Sequence, residues 1–141
     1  MSTSLTDYLD TIPQGRLGII AMRGCEELAQ RVSDQIVELR DKYYPEKEVW
    51  LTEFSWDTAT SYTTKTACHA YGEYTARQVQ AMWLTRAYLL LSASGVDKAT
   101  MYMCHDGTSE DTTNNVQYGT CGVIDYQGNK KDSYFYMYTL K

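Results

Sequence analysis

Val49-Trp50-Leu51-Thr52-Glu53-Phe54, followed by Ser55-Trp56-Asp57, is the stretch on which the fold of this chain turns. It reads as a short apolar strand that ends by presenting a carboxylate among aromatic rings. A glutamate at that point is out of place in a pure core. Burial strips its ionised form of solvation, so it needs a hydrogen-bonding or catalytic reason to be there. The alternative is an edge strand whose terminal Glu53 points into water.

Working outward, Leu28, Val32, Ile36 and Leu39 are spaced by four, four and three, with charged residues between them. That spacing predicts an amphipathic helix over about residues 25–43, ended before Pro45. After the strand, residues 55–72 are rich in Thr, Ser and Tyr and close on Gly72. Loops of this length inside a compact domain are usually functional or disordered. A second helix is predicted over about 73–94, with Val79, Met82, Trp83, Ala87, Leu90 and Leu91 inward and Gly95 as its C-cap. A second strand, Ala99 to Cys104, runs into His105-Asp106, and a polar loop follows from Gly107 to Gly119. A short extended piece at Gly122-Val123-Ile124, a turn over 125–129 and an aromatic helix over 132–141, with Tyr134, Met137 and Tyr138 inward, complete the chain. Residues 1–24 contain Pro13, Gly15, Gly18 and Gly24 and read as irregular, with one short helical turn from Leu5 at most.

The order is thus helix, strand, helix, strand, helix. Each strand is followed by a long polar loop and each helix-to-strand link is short, the asymmetry of (β/α)8 barrels, whose post-strand loops carry the site. The expected class is α/β: a partial (β/α)8 TIM barrel, roughly its last two strands and last three helices. Such a barrel typically needs about 250 residues, so the chain is expected to be incomplete. Residues 1–24 form an irregular N-terminal segment and 25–141 the barrel portion.

Composition narrows the function classes. A net charge of −5, with thirteen Lys and Arg spread along the chain, forms no basic stripe and argues against a nucleic-acid partner. No run approaches the roughly 18 apolar residues that span a bilayer, so no membrane partner is expected. Met1-Ser2-Thr3-Ser4-Leu5-Thr6-Asp7 lacks a basic start and a hydrophobic stretch, so it is not a signal peptide. Cys25, Cys68, Cys104 and Cys121 contain no Cys-x-x-Cys pair, and His69 and His105 complete no zinc signature, so no metal is expected. Two disulfides are permitted, but free buried thiols suit most of the four. Thirteen Tyr and three Trp against two Phe suit polar, ring-shaped ligands, because each such ring offers an apolar face and a polar tip.

Taken with Gln80-x-x-Trp83-Leu84-x-Arg86, Gly95-Val96-Asp97-x-Ala99-x-x-Tyr102 and Tyr118-Gly119-x-x-Gly122-Val123, the strand around Glu53 resembles the C-terminal part of clan A glycoside hydrolases. These are retaining (β/α)8-barrel enzymes, and the likeness runs over about residues 25–141. It implies a poly- or oligosaccharide substrate cleaved at O-glycosidic bonds, no cofactor, and a secreted or periplasmic setting. It also implies that Glu53, closing the counterpart of the seventh strand, is the nucleophile. The family's acid/base glutamate closes the fourth strand, which has no counterpart here, so the chain is expected to be inactive alone and to need a missing N-terminal barrel half or self-association. Where the family often places a tryptophan at the end of the eighth strand, this sequence reads Tyr102-Met103-Cys104-His105-Asp106.

The remaining candidates follow from position. Retaining hydrolysis needs two carboxyl groups about 5–5.5 Å apart. Asp57 lies four residues beyond Glu53, and Asp106 ends the neighbouring strand, about 4.8 Å away if the two are adjacent. Asp106 is expected to orient a loop or bind a substrate hydroxyl rather than serve as acid/base. Trp56 is either a sugar platform or a loop anchor, and His105 either a substrate ligand or a solvated loop residue. Trp50 and Trp83 are expected between strand and helix. His69 reads as decoration in its Thr-rich loop, and Arg86 as a structural ion-pair former. A non-catalytic carbohydrate-binding or protein-interaction domain is the alternative function.

Overall fold

A computed structural model describes residues 18–20, 26–61, 63, 66–111, 113 and 116–140. The elements run β1 (Gly18–Ile20), α1 (Glu26–Tyr43), β2 (Trp50–Glu53), α2 (Ala76–Ala93), β3 (Lys98–Ala99) and α3 (Asp132–Thr139). The strands form one parallel sheet in the order β1-β2-β3, with Gly18 opposite Trp50, Ile20 opposite Glu53 and Leu51 opposite Ala99. The α/β reading therefore holds. The helical turn expected from Leu5 lies outside the described residues.

Two expectations about strands are corrected. β1 falls inside the segment read as irregular and gives the sheet a third strand. Three residues, the first a glycine, are too few to show a period-2 pattern, so no sequence signal marks it. The strand expected over Ala99 to Cys104 is regular only at Lys98–Ala99. Beyond it the Thr100 amide still donates to Leu51 O at 2.9 Å and the Tyr102 amide to Phe54 O at 2.9 Å. The chain stays beside β2 for as long as β2 offers carbonyls, then leaves.

α2 starts at Ala76, three residues later than the expected 73. Thr75 caps it, accepting from the Gln78 amide while Gln78 Oε1 accepts the Thr75 amide at 2.9 Å. It ends at Gly95, whose φ of +81° suits a residue without Cβ, and the Val96 amide reaches back to Leu91 O at 3.1 Å. Its buried side is Ala76, Val79, Gln80, Ala81, Leu84 and Leu91. Met82, Trp83 and Ala87 pack at the margin, and Leu90 is exposed, contrary to expectation. The face is rotated because Gln80, a polar residue, is buried at its centre: its Nε2 donates to Trp56 O at 2.8 Å and its Oε1 accepts from Ser133 Oγ at 2.9 Å. Both amide ends are satisfied, so hydrogen bonds offset the cost of burying Gln80.

Leu51, Phe54, Trp56 and Cys68 meet α2 to make the core. Each fully buried large apolar side chain contributes roughly 1.5–3 kcal/mol. Trp50 points away from this core, a correction to its expected place. Lys98 Nζ lies 4.2 Å above its ring and its indole N–H donates to Glu48 at 2.6 Å, on the sheet face opposite Leu51. Leu39 of α1 is exposed, as is Tyr138 of α3, so neither joins the core as expected. α1 is instead fastened by Arg40, which donates to Asp97 at 2.8 Å and to Lys47 O at 3.1 Å. The links 44–49 and 94–97 are short and the segments 54–75 and 100–131 are long. Both long segments therefore leave the same, carboxyl, end of the sheet.

Candidate active site

Glu53 is the last residue of the middle strand. Its side chain is exposed and, among the described residues, makes no hydrogen bond or ion pair. It lines an open cleft of about 560 Å³ together with Tyr102, Met103, Thr108, Gln117 and Tyr118. The opposing wall is the second long loop. Tyr102 and Tyr118 meet edge to face, centroids 5.8 Å apart and planes at 80°. Tyr102 thus stands in the cleft, and among the described residues that line it Glu53 is the one that carries a charge.

The other candidates are placed elsewhere. Trp56 is 7% exposed and sits edge-on to Phe54 and to Trp83, at 6.3 and 5.5 Å. It anchors the core and cannot stack on a sugar. Asp57 is fully buried and does not reach the cleft. Its Oδ2 accepts from the Tyr118 amide at 2.8 Å and from Thr66 Oγ1 at 2.6 Å, and its Oδ1 accepts from the Thr120 amide at 2.9 Å. It therefore ties the loop after β2 to the loop that forms the cleft wall. His105 is exposed, pairs through its backbone with Ile124, and is not among the lining residues.

Asp106 is 1% exposed and faces inward, not into the cleft. Its Oδ1 accepts the Gly122 amide at 2.7 Å, and its Oδ2 meets Lys131 Nζ at 2.6 Å without the alignment of a hydrogen bond. Burial pushes the Asp106 carboxyl above its ordinary value, against the pull of Lys131. Gly122 is required here, since a Cβ would stand 2.7 Å from the Asp106 amide nitrogen and 2.8 Å from the His105 carbonyl carbon. This contact ties the residues after β3 to the segment around Gly122.

A charged network beneath the cleft left no mark in the sequence. Lys131, with no exposed side-chain surface, donates to Thr58 Oγ1 at 2.8 Å and Thr120 O at 2.9 Å, and lies 3.3 Å from Glu110. Glu110 also accepts from the Thr58 hydroxyl and pairs with Arg77 at 2.8 Å, which reaches Asp125 at 3.1 Å. Burial alone would raise the Glu110 carboxyl, but Arg77, Thr58 and Lys131 outweigh it and hold it below the usual range. In sequence, Asn129-Lys130-Lys131-Asp132 resembles any solvated turn.

Among the described residues no cluster of His, Cys, Asp and Glu could hold a metal. Cys68 and Cys121 are free and buried, Cys104 is free and exposed, and Cys25 lies outside the described residues. Burial pushes the Cys121 thiol up to about 12. No helix is long and apolar enough to cross a membrane among the described residues.

No family model and no curated protein matches the sequence. Among solved structures, a Faecalibacterium prausnitzii beta-glucuronidase superposes on 99% of this chain with a TM-score of 0.56 at 14% identity. The chain spans 23% of the length of that enzyme, a glycoside hydrolase with a TIM barrel. At this identity the likeness is one of architecture, and this chain has a glycosidase-like fold.

Proposed function

We propose that this chain is the C-terminal part of a retaining, clan-A-like glycoside hydrolase barrel that cleaves O-glycosidic bonds of a poly- or oligosaccharide, with Glu53 as nucleophile. The observation that carries the reading is the place of Glu53: the carboxyl end of the middle parallel strand, on an open cleft with two tyrosines, in a glycosidase-like fold. Post-strand loops and strand ends are where barrel enzymes assemble their chemistry. Glu53 would attack the anomeric carbon as the aglycone oxygen leaves, forming a glycosyl ester that water then hydrolyses.

The acid/base carboxyl comes from outside the chain in this reading. Asp57 and Asp106 are committed to buried contacts, and no second carboxylate lines the cleft among the described residues. Among the described residues the sheet has β1 and β3 as its edges, which suits a further barrel segment or self-association. The chain alone therefore turns over no ordinary aryl glycoside.

An activated leaving group separates the two carboxyl roles. Dinitrophenolate departs without a proton, so a panel of 2,4-dinitrophenyl glycosides needs the nucleophile but not the acid. The expected result is a burst of at most one dinitrophenolate per chain, a glycosyl adduct mapped to Glu53 by mass spectrometry, and no burst from Glu53→Gln. Sugar binding with no adduct across the panel would instead favour the non-catalytic carbohydrate-binding alternative.

A further inference from the structure

Tyr118 has a φ of 62°, the left-handed region, and is the one non-glycine residue with positive φ among the described residues. A bulky side chain holds that conformation only where its surroundings over-determine it. Asp57 does so here: its buried carboxylate takes the amides of Tyr118 and Thr120 on either side of Gly119. A glycine at 118 would adopt the same backbone without strain. What the strained backbone achieves is to stand the Tyr118 ring against Tyr102, at 80°, in the wall of the cleft that Glu53 lines.

Two rings at this angle form a corner, one offering a face and the other an edge. Among the described residues neither tyrosine hydroxyl makes a hydrogen bond, so both can serve a ligand. Among the described residues Glu53 is the one charged lining residue, and it is an acid. An anionic sugar would meet like charge there, and an uncharged one would not.

Resting on the glycosidase reading of the cleft, we propose that Tyr118 is a sugar-contacting, specificity-determining residue, that with Tyr102 it seats an uncharged pyranoside, and that Asp57 is the positioning residue that sets it. Aromatic rings supply apolar faces to the C–H side of a pyranose and hydroxyls to its rim.

Saturation-transfer NMR on the full 141-residue chain tests this, with methyl β-D-glucopyranoside and methyl β-D-glucuronide as probes and urea unfolding run on every variant. The glucoside is expected to receive saturation several-fold more strongly than the glucuronide. Tyr118→Gly is expected to lose the glucoside signal while unfolding at a higher urea concentration than Tyr118→Ala, because glycine relieves the backbone that alanine still strains. Tyr118→Phe is expected to keep part of the signal. A Tyr118→Gly chain that binds the glucoside as the parent does would overturn the proposal, as would a parent that binds neither probe or prefers the glucuronide. Failure here and failure of the hydrolase reading are separable. A Glu53 adduct with normal sugar binding by Tyr118→Gly sinks only the role of Tyr118, and a lost signal with no adduct sinks only the nucleophile.

Discussion

Replacing Lys131 by methionine isolates an ion pair whose two side chains are both fully buried. Methionine fills much of the same volume but withdraws the ammonium from Asp106, Glu110, Thr58 and Thr120. Asp106 is then a buried carboxylate whose remaining partner is the Gly122 amide, and breaking a buried pair on one side costs about 3–5 kcal/mol. The cost has a ceiling, because Asp106 can escape by taking a proton. From an unfolded pKa near 3.9, protonation at pH 7 costs about 1.36 × 3.1, or roughly 4 kcal/mol, and at pH 5 about 1.5 kcal/mol. The expected loss is therefore about 3–4 kcal/mol at pH 7, shrinking to about 1.5 kcal/mol at pH 5. With an unfolding entropy of about 2.1 cal/mol/K per residue, the neutral-pH loss lowers Tm by roughly 10 °C.

Urea unfolding followed by tryptophan fluorescence reads this, since Trp56 and Trp83 are packed together in and beside the core. The pH dependence is the diagnostic part. A merely steric defect would destabilise equally at pH 5 and pH 7, whereas an orphaned carboxylate is relieved as it protonates. Pairing the change with Asp106→Asn should return most of the loss, because the neutral amide needs no counter-charge. A loss under about 1 kcal/mol at pH 7, or one that does not shrink in acid, refutes the reasoning.

Three further outcomes are expected. The Glu110 carboxyl is held below its ordinary value, so its stabilisation is complete above that value and is lost as pH falls through the lowered folded one. Urea midpoints should drop between pH 5 and pH 3, and Glu110→Gln should flatten part of that drop, although Asp106, with its raised carboxyl, works in the opposite direction. Gly122→Ala must push a methyl against the backbone of His105 and Asp106, an overpacking that costs about 1–3 kcal/mol, visible as a lower urea midpoint at unchanged m-value. Iodoacetamide at pH 8 should modify exposed Cys104 in the native chain but reach Cys68 and Cys121 only after unfolding, since both are buried and the Cys121 thiol, pushed up to about 12, is ionised in only about one molecule in ten thousand. Peptide mapping before and after urea separates the two classes.

How far the sequence could be read depended on how local each cause was. β2 and the two long helices rest on spacings of a few residues, and their boundaries fall within a few positions of the expected ones. The third helix shows the limit, since its eight residues with aromatics all round leave the choice of inner face to tertiary packing, which turned Tyr138 outward. β1 is shorter than the period that would reveal it. The errors at the site share a longer range. Glu53 was legible because a carboxylate closing an apolar strand is anomalous by itself. Trp56 was not, although Phe54 and Trp56 are two apart and both inward, as they would be if extended backbone continued past the carboxylate. Asp57 and Asp106 look like cleft carboxylates until Thr120 and Lys131 are brought against them across 63 and 25 positions of chain. A carboxylate near a site is a reactant only if its oxygens are free, and that freedom is decided by donors a whole loop away. The same long-range contacts leave Glu53 as the one acid lining the cleft among the described residues, and hold Tyr118 in the cleft wall in a conformation its own side chain disfavours.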